Sequence, residues 1–287
     1  MKLKIVLNRG VYLMFALATL CSLNSCQPDA VGVGNGLTDA NVDASFTVTP
    51  VEGASNKFTL SAQKANVIAS KWDIGEGTFS GKMIETVFFP DAGTYTVTHT
   101  AIGKGGAMNA TTKDIVVATS DPVAGNIIQG GKFQSATDHD KWTILKISDS
   151  GTSWSFNEGS ATVKGGGWNQ QGIYQAVQVQ ANKDYKIDMK VFGSGAINTW
   201  FEVYVSKTPP VQNTDYSADG RRMGLSTWDG CATAVFSGKL STVGCVGSGN
   251  TVRFTEAGTV YLLIKCGGEN IGTTGISITN VEMRGSN

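Results

Sequence analysis

Between residues 44 and 118 polar and apolar positions alternate in short runs: Ala44-Ser-Phe-Thr-Val-Thr49, Lys57-Phe-Thr-Leu-Ser61, Thr94-Tyr-Thr-Val-Thr-His-Thr100 and Asp114-Ile-Val-Val-Ala118. A period of two sends successive side chains to opposite faces of a strand, and the glycines and prolines between the runs are turn residues. The pattern predicts a small β-sandwich over 41–120. Asp121-Pro122 breaks the alternation, and from Asn126 longer runs follow: 172–179, 185–191, 200–205, 251–254, 260–265 and 275–283. Alternation gathers Tyr185, Ile187, Met189 and Val191 on one face of their strand, and Phe201, Val203 and Val205 on one face of theirs. Long strands with Gly-rich loops between them predict a second all-β domain, a jelly roll, over 121–287.

The N-terminus departs from this pattern. Lys2, Lys4 and Arg9 precede the apolar run 11–20, the order of a secretion signal and too short a run to span a bilayer. The run ends in Leu23-Asn24-Ser25-Cys26, which resembles a lipobox. That resemblance implies a signal peptide over 1–25 and a lipid anchor on Cys26, where two acyl chains hold a protein stably to a membrane. Residues 26–40, with several glycines and no hydrophobic period, read as a flexible linker. Gly32, Gly34 and Gly36 lack the preceding strand and following Lys-Ser/Thr of a phosphate loop.

Composition narrows the function classes. The 23 basic residues balance the 23 acidic ones and only 16% of residues are charged, which excludes the basic surface of a nucleic-acid binder. Of five cysteines, Cys21 leaves with the signal and Cys26 is the acylation site, so Cys231, Cys245 and Cys266 remain. A Cys231–Cys245 disulfide closes a modest Gly/Ser-rich loop and leaves Cys266 as a buried thiol; a Cys245–Cys266 bond is the alternative.

Two stretches carry family resemblances. Trp72-Asp73-Ile74-Gly75-Glu76-Gly77, followed by Phe89-Pro90-Asp91-Ala92-Gly93-Thr94-Tyr95-Thr96-Val97, resembles the polycystic-kidney-disease (PKD) repeat, with Ile74 and Glu76 as departures. Such domains serve as spacers, and Trp72 is expected in the core. Asp73 and Glu76 alone are too few oxygens for a calcium cage. Further on, Asn126-Ile-Ile-Gln-Gly-Gly-Lys132-Phe133, Trp142, Gly172-Ile-Tyr-Gln175, Tyr185 and Ile276-Ser-Ile-Thr-Asn-Val-Glu282 resemble carbohydrate-binding modules of families four, nine and sixteen. Those are jelly rolls, often with one structural calcium. Here Lys132 and Gln134 occupy the acidic places, which argues against calcium, and no other cofactor is expected. Together with the lipobox, the arrangement resembles the surface glycan-binding lipoproteins of Bacteroidetes Sus-type polysaccharide-utilisation systems. The resemblance implies a polysaccharide ligand such as a β-1,3- or mixed-linkage β-glucan, an outer-membrane anchor facing the exterior, and a Sus-type transporter as partner.

Sugar rings stack on aromatic planes while amides and carboxylates meet their hydroxyls. Three places in the second domain offer this. Gly165–Gly172 is read as a loop lifting Trp168 out of any strand beside the amides Asn169 and Gln170; the alternative is a Trp that caps the barrel end. Trp200, Glu202 and Tyr204 share the face of their strand opposite to the aliphatic one, either as a glycan stripe or as a covered second face. Trp228-Asp229 lies beside Cys231, whose disulfide would hold the tryptophan still. Trp142 and Trp154 read as core, Arg221 and Arg222 as solvated charges of a turn at Asp219-Gly220, and Asp138-His139-Asp140 as a hydrated turn rather than a metal site. No nucleophile elbow, His-Glu-x-x-His helix or Glu-x-Asp-x-x-Glu strand is present. The expectation is therefore a non-catalytic glycan-binding protein; the rival readings are a glycoside hydrolase with an unrecognised carboxylate pair, and a surface adhesin.

Overall fold

The computed structural model describes residues 42–286; the expected signal peptide over 1–25, Cys26 and the expected linker up to residue 40 lie outside the described residues. The chain forms strands β1 (Phe46–Pro50), β2 (Lys57–Ala62), β3 (Val67–Asp73), β4 (Thr78–Gly81), β5 (Ile84–Phe88), β6 (Gly93–Gly103) and β7 (Met108–Val117), then β8 (Thr143–Lys146), β9 (Thr152–Asn157), β10 (Ser160–Val179), β11 (Lys183–Gly193) and β12 (Ile197–Ser206). The last five are β13 (Met223–Ser226), β14 (Phe236–Lys239), β15 (Thr251–Phe254), β16 (Gly258–Asn270) and β17 (Ile276–Ser286). The protein is all-β, an Ig-like sandwich followed by a jelly-roll sandwich. Contacts divide it into two compact units, but not by a single cut at residue 120. The first unit includes Lys57–Val87 and Tyr95–Ile115, while Glu52–Asn56, Phe88–Thr94 and the chain from Val116 onward make the second.

In the first unit a sheet ordered β1-β2-β5 and a sheet ordered β4-β3-β6-β7 make the two layers. The core between them is aromatic. Trp72, fully buried on β3, meets Phe46 edge-to-face at 5.2 Å and lies 4.3 Å from the His99 ring. Burial leaves each polar atom of this cluster needing a partner. The Trp72 Nε1–H donates to the Lys82 carbonyl at 2.9 Å, and His99 uses both ring nitrogens, towards Ala44 O at 2.8 Å and Ser70 Oγ at 2.9 Å. His99 is thus a core residue. The turn after β3 is built by Asp73, whose carboxylate accepts from the Gly75 N–H at 2.8 Å, with Gly75 and Gly77 at positive φ that a Cβ would strain.

The second unit is a sandwich whose sheets share β10. Its C-terminal part, from Gln171 to Tyr174, pairs with β8, and Asn169 to Val179 pairs with β16, giving a first sheet in the order β13-β12-β16-β10-β8. Its N-terminal part, Ser160 to Gly165, pairs with β9 and β17, and β17 continues through β11 to β14 and β15 as the second sheet. Strands that switch sheets do so at bulges. Here the register of β10 against β16 slips between Gly166 and Asn169. Segment Gly165–Gly172, expected as a loop, is therefore the corner of a continuous strand.

Between the sheets lies one apolar layer. Phe201, Val203 and Val205 from the first sheet meet Ile187, Met189, Val191 and Tyr185 from the second, all buried as their alternation predicted. Trp142 and Trp154 join the same core, their indole N–H groups donating to the carbonyls of Gly130 (3.2 Å) and Gln171 (3.0 Å). Cys231 and Cys245 form a disulfide with Cα atoms 6.0 Å apart, and Cys266, pointing inward from β16, is a free thiol whose pKa burial pushes up.

Removing Phe46 from the first unit tests the aromatic core. Phe46→Ala should cost about 3–5 kcal/mol, the usual range for a buried aromatic. Urea unfolding followed by far-UV circular dichroism measures it; a loss below about 1 kcal/mol, the scale of an ordinary surface change, would contradict the packing described.

Candidate functional site

The three tryptophans that the sequence places on separate segments come together. The rings of Trp168 and Trp228 lie 6.4 Å apart between centroids and those of Trp200 and Trp228 6.3 Å apart, each pair inclined by only 26°. Trp228 is the shared partner. Exposure of 59% for Trp168 and 56% for Trp228 leaves aromatic faces open to solvent, with Trp200 half-buried beside them.

Each indole is held by a different device. Trp168 sits at the corner of β10 with φ of +64°, in the left-handed region that costs a residue with a Cβ about 1 kcal/mol. The corner is tight because Gly165 and Gly166 lie against backbone: a Cβ at Gly165 would stand 1.8 Å from the Gly151 carbonyl oxygen and one at Gly166 2.1 Å from that of Glu269. Asn169 braces it, its Nδ2 donating to the carbonyls of Gly166 and Gly167 at 3.1 Å each. Trp200 points outward from β12, and its ring passes over Gly267 of β16, where a Cβ would come within 2.6 Å of the indole. Trp228 rides a turn after β13 whose N–H groups of Asp229 and Cys231 both donate to the Ser226 carbonyl. Thr227 ties that turn to β12 by accepting from the Thr199 N–H at 2.9 Å, and the Cys231–Cys245 disulfide fastens its far end.

The polar residues divide. Gln170 lies in register with Gly267, which is in register with Trp200, so one strand, β16, lies between the two residues; the Gln170 Oε1 is buried without a hydrogen-bond partner among the described residues. Asp229 is exposed next to Trp228. Asn169 is spent on the corner. Glu202 is spent too: it accepts from Arg221 Nη1 at 2.8 Å and from the Tyr204 hydroxyl at 2.9 Å, and lies 3.5 Å from Lys265 Nζ. Lys265 is 3% exposed and makes its closer ion pair with Asp215 at 2.6 Å. Arg221 is accordingly no solvated turn charge.

Tyr204 corrects the sequence reading. It shares the outward face with Trp200, but it is only 5% exposed and packs with Leu145, Tyr216 and Leu263 in a second small core, edge-to-face against Tyr216 at 5.8 Å. Burial and the neighbouring Glu202 carboxylate push its phenol pKa up. The outward face is covered at the Tyr204 end and open at the Trp200 end, so Tyr204 offers no ring to a ligand.

Two residues escaped the sequence reading. Glu269 stands opposite the corner, between the pairs Gly166–Asn270 and Asn169–Gly268, and Asn198 faces it from β12. The Asn198 Nδ2 donates to Glu269 Oε2 at 2.6 Å, and the other carboxylate oxygen has no hydrogen bond among the described residues. The signal was Gly267-Gly268 inside an apolar strand, a mark of close approach by another group. The Asp138-His139-Asp140 cluster makes internal bonds: Asp138 accepts from the Gln134 N–H, and His139 Nε2 lies 3.2 Å from the carbonyls of Phe133 and Asn157. Among the described residues no three His, Cys, Asp or Glu side chains gather as a metal site.

If φ at Trp168 is strained, two truncations that lose the same ring stacking should differ. Trp168→Gly should be more stable than Trp168→Ala by about 1 kcal/mol, because only glycine accepts the left-handed conformation freely. Paired urea midpoints decide it; equal or reversed stabilities would deny the strain.

Residues 39–116 match the family model of the PKD domain. No curated protein matches the chain at a significant level. Among solved structures, one described as the basis for the promiscuous specificity of carbohydrate-binding modules from the β-sandwich superfamily shares 14% identity, covering 84% of this chain and 97% of its own, with a TM-score of 0.27. A structure described as CBM4 structure and function shares 17% identity over 55% of this chain and 99% of its own, TM-score 0.30. The enzymatically active domain of tailspike protein 4 from Bacteriophage CBA120 shares 10% identity over 56% of this chain and 21% of its own, TM-score 0.33. None superposes closely enough to carry function across, and the firm family result is the PKD domain of the N-terminal sandwich.

Proposed function

We propose that this protein is a non-catalytic glycan-binding lipoprotein. The observation that carries the reading is the row of three near-parallel indoles, two of them more than half exposed, assembled from three separate elements. Exposed tryptophans stacked only on one another forgo burial of large apolar surfaces, which soluble proteins do at binding sites. Indole faces suit the apolar C–H faces of pyranose rings, while Gln170, Asp229, Asn198 and Glu269 surround them with groups that pair with hydroxyls. The carboxylate nearest Trp200 along its strand, Glu202, is occupied by Arg221, Tyr204 and Lys265, which supports binding over hydrolysis.

Cys26 carries the lipid, the PKD domain is a spacer between anchor and binding unit, and the ligand is a polysaccharide, with a β-1,3- or mixed-linkage β-glucan as the first to try. The lipid holds the protein in the outer membrane, facing outward, where captured glycan passes to a Sus-type transporter.

Tryptophan fluorescence titrated with soluble glycans tests the site. At least one polysaccharide should quench or shift the emission, and Trp228→Ala, which removes the shared partner of both stacks, should weaken binding at least about tenfold, some 1.4 kcal/mol. Absence of binding by every glycan, or full affinity in Trp228→Ala, would overturn the assignment; release of reducing ends on incubation would reject the non-catalytic part. The anchor is tested separately. Cys26→Ser should move the protein from the membrane to the soluble fraction, and unchanged membrane retention would refute the acylation site.

A further inference from the structure

The charge around the tryptophan row is one-sided. The segments that build it, 165–172, 197–206, 226–231 and 267–270, contain the carboxylates Glu202, Asp229 and Glu269 and no lysine or arginine. Glu202 is neutralised by the flanking Arg221 and Lys265, and the same contacts consume those two cations: Arg221 Nη1 is on Glu202 at 2.8 Å, and Lys265 Nζ, almost wholly buried, is on Asp215 at 2.6 Å. Lys164, next along β10, has its Cγ against the Cβ position of Gly275. On the far side of Gln170, Lys146 is paired with Asp149 at 3.0 Å. Asp229 and Glu269 are both exposed and neither meets a cation: no ion pair joins either of them to another described residue, and Glu269 meets only the neutral amide of Asn198.

From this we infer that the site selects glycans by charge, admitting uncharged polysaccharide and rejecting polymers that carry carboxylate or sulfate groups. The inference rests on the glycan-binding reading above and adds to it the class of sugar. Two unit negative charges beside an aromatic surface repel an anionic chain within a Debye length, about 8 Å at physiological ionic strength, without disturbing a neutral one. For a neutral sugar the same carboxylates are hydrogen-bond acceptors for hydroxyls, and charge-assisted bonds of this kind are the stronger ones. Glu269 and Asn198 together present an acceptor oxygen beside an amide. A site for acidic glycans would instead require an uncommitted arginine or lysine at the row.

The test separates charge from sugar identity. A soluble β-glucan, a xylan and a mannan are each compared with their own carboxymethyl derivative and with their hydroxyethyl derivative, which adds similar bulk without charge, on the full mature protein. For any polymer that binds, the carboxymethyl form should bind at least about tenfold more weakly than the hydroxyethyl form at low salt. The gap should shrink towards about 1 M salt, where the Debye length is about 3 Å. In the double variant D229N/E269Q the ratio of the two derivatives should fall to within about threefold. Equal or tighter binding of the carboxymethyl form, or a ratio that the double variant leaves unchanged, overturns the charge selection while the glycan-binding function stands. Failure of all neutral polymers to bind overturns both.

Discussion

Strand β10 crosses from one sheet of the second unit to the other, and the crossing at Gly165–Trp168 is the constraint on which the rest of the site depends. On one side of the corner the strand is bonded to β9 and β17, on the other to β8 and β16. Neither set of hydrogen bonds can be given up, since buried backbone groups left unpaired are costly. The chain must therefore turn within a few residues. The Gly166 N–H donates to Gly151 O at 2.9 Å and the Ile271 N–H to Gly165 O at 3.1 Å, approaches that only residues without a Cβ allow. Once the corner is closed, the next side chain is thrown clear of both sheets. That side chain is Trp168, and the neighbouring strands bring Trp200 and, through the turn after β13, Trp228 to meet it.

Much of this was legible in the chain itself. The inward rows of β11 and β12 follow from period two, and Trp72 from its place in the PKD motif. Cys266 occupies the same alternating row of β16 as Leu262 and Ile264, all three in the core, so the sequence held a reason for it to stay unpaired. Other features were hidden for physical reasons. Gly165-Gly166-Gly167 has the composition of a loop, and one of the two pairings that make it a corner, that of Gly166 with Asn270, lies far off in sequence. Alternation correctly grouped Trp200 with Tyr204 but could not tell an open face from a covered one. The cover comes from Asp215 and Tyr216, in a segment with no period of its own.

The cluster under that cover carries several charges in little space. Lys265 lies between the carboxylates of Glu202 and Asp215, and Arg221 closes on Glu202 from outside. A buried pair of this kind adds little net stability, because desolvation offsets the Coulomb attraction. Its geometric effect is larger. Glu202 and Lys265 are registered partners on adjacent strands, one alternation along from Trp200 and Gly267. Fixing them there keeps the floor beside the indole charge-neutral, so the two free carboxylates dominate the local field.

The tryptophan row itself is a place where the protein gives up stability. Trp168 holds an unfavourable φ, and two large aromatic rings stay more than half exposed although a deep apolar core lies one layer beneath. Mutual stacking returns only part of this, since an aromatic pair contributes about 0.5–1.5 kcal/mol beyond its buried area. Departures from local preference concentrate at functional sites. In exchange the three rings are already ordered: each has two side-chain torsions, and the strand corner, the Thr227–Thr199 bond and the disulfide restrict the backbones that carry them. Binding a flexible chain on such a surface would cost ordering of the ligand far more than of the protein. That asymmetry, more than the area of any one indole, is what makes the row suited to holding a polymer.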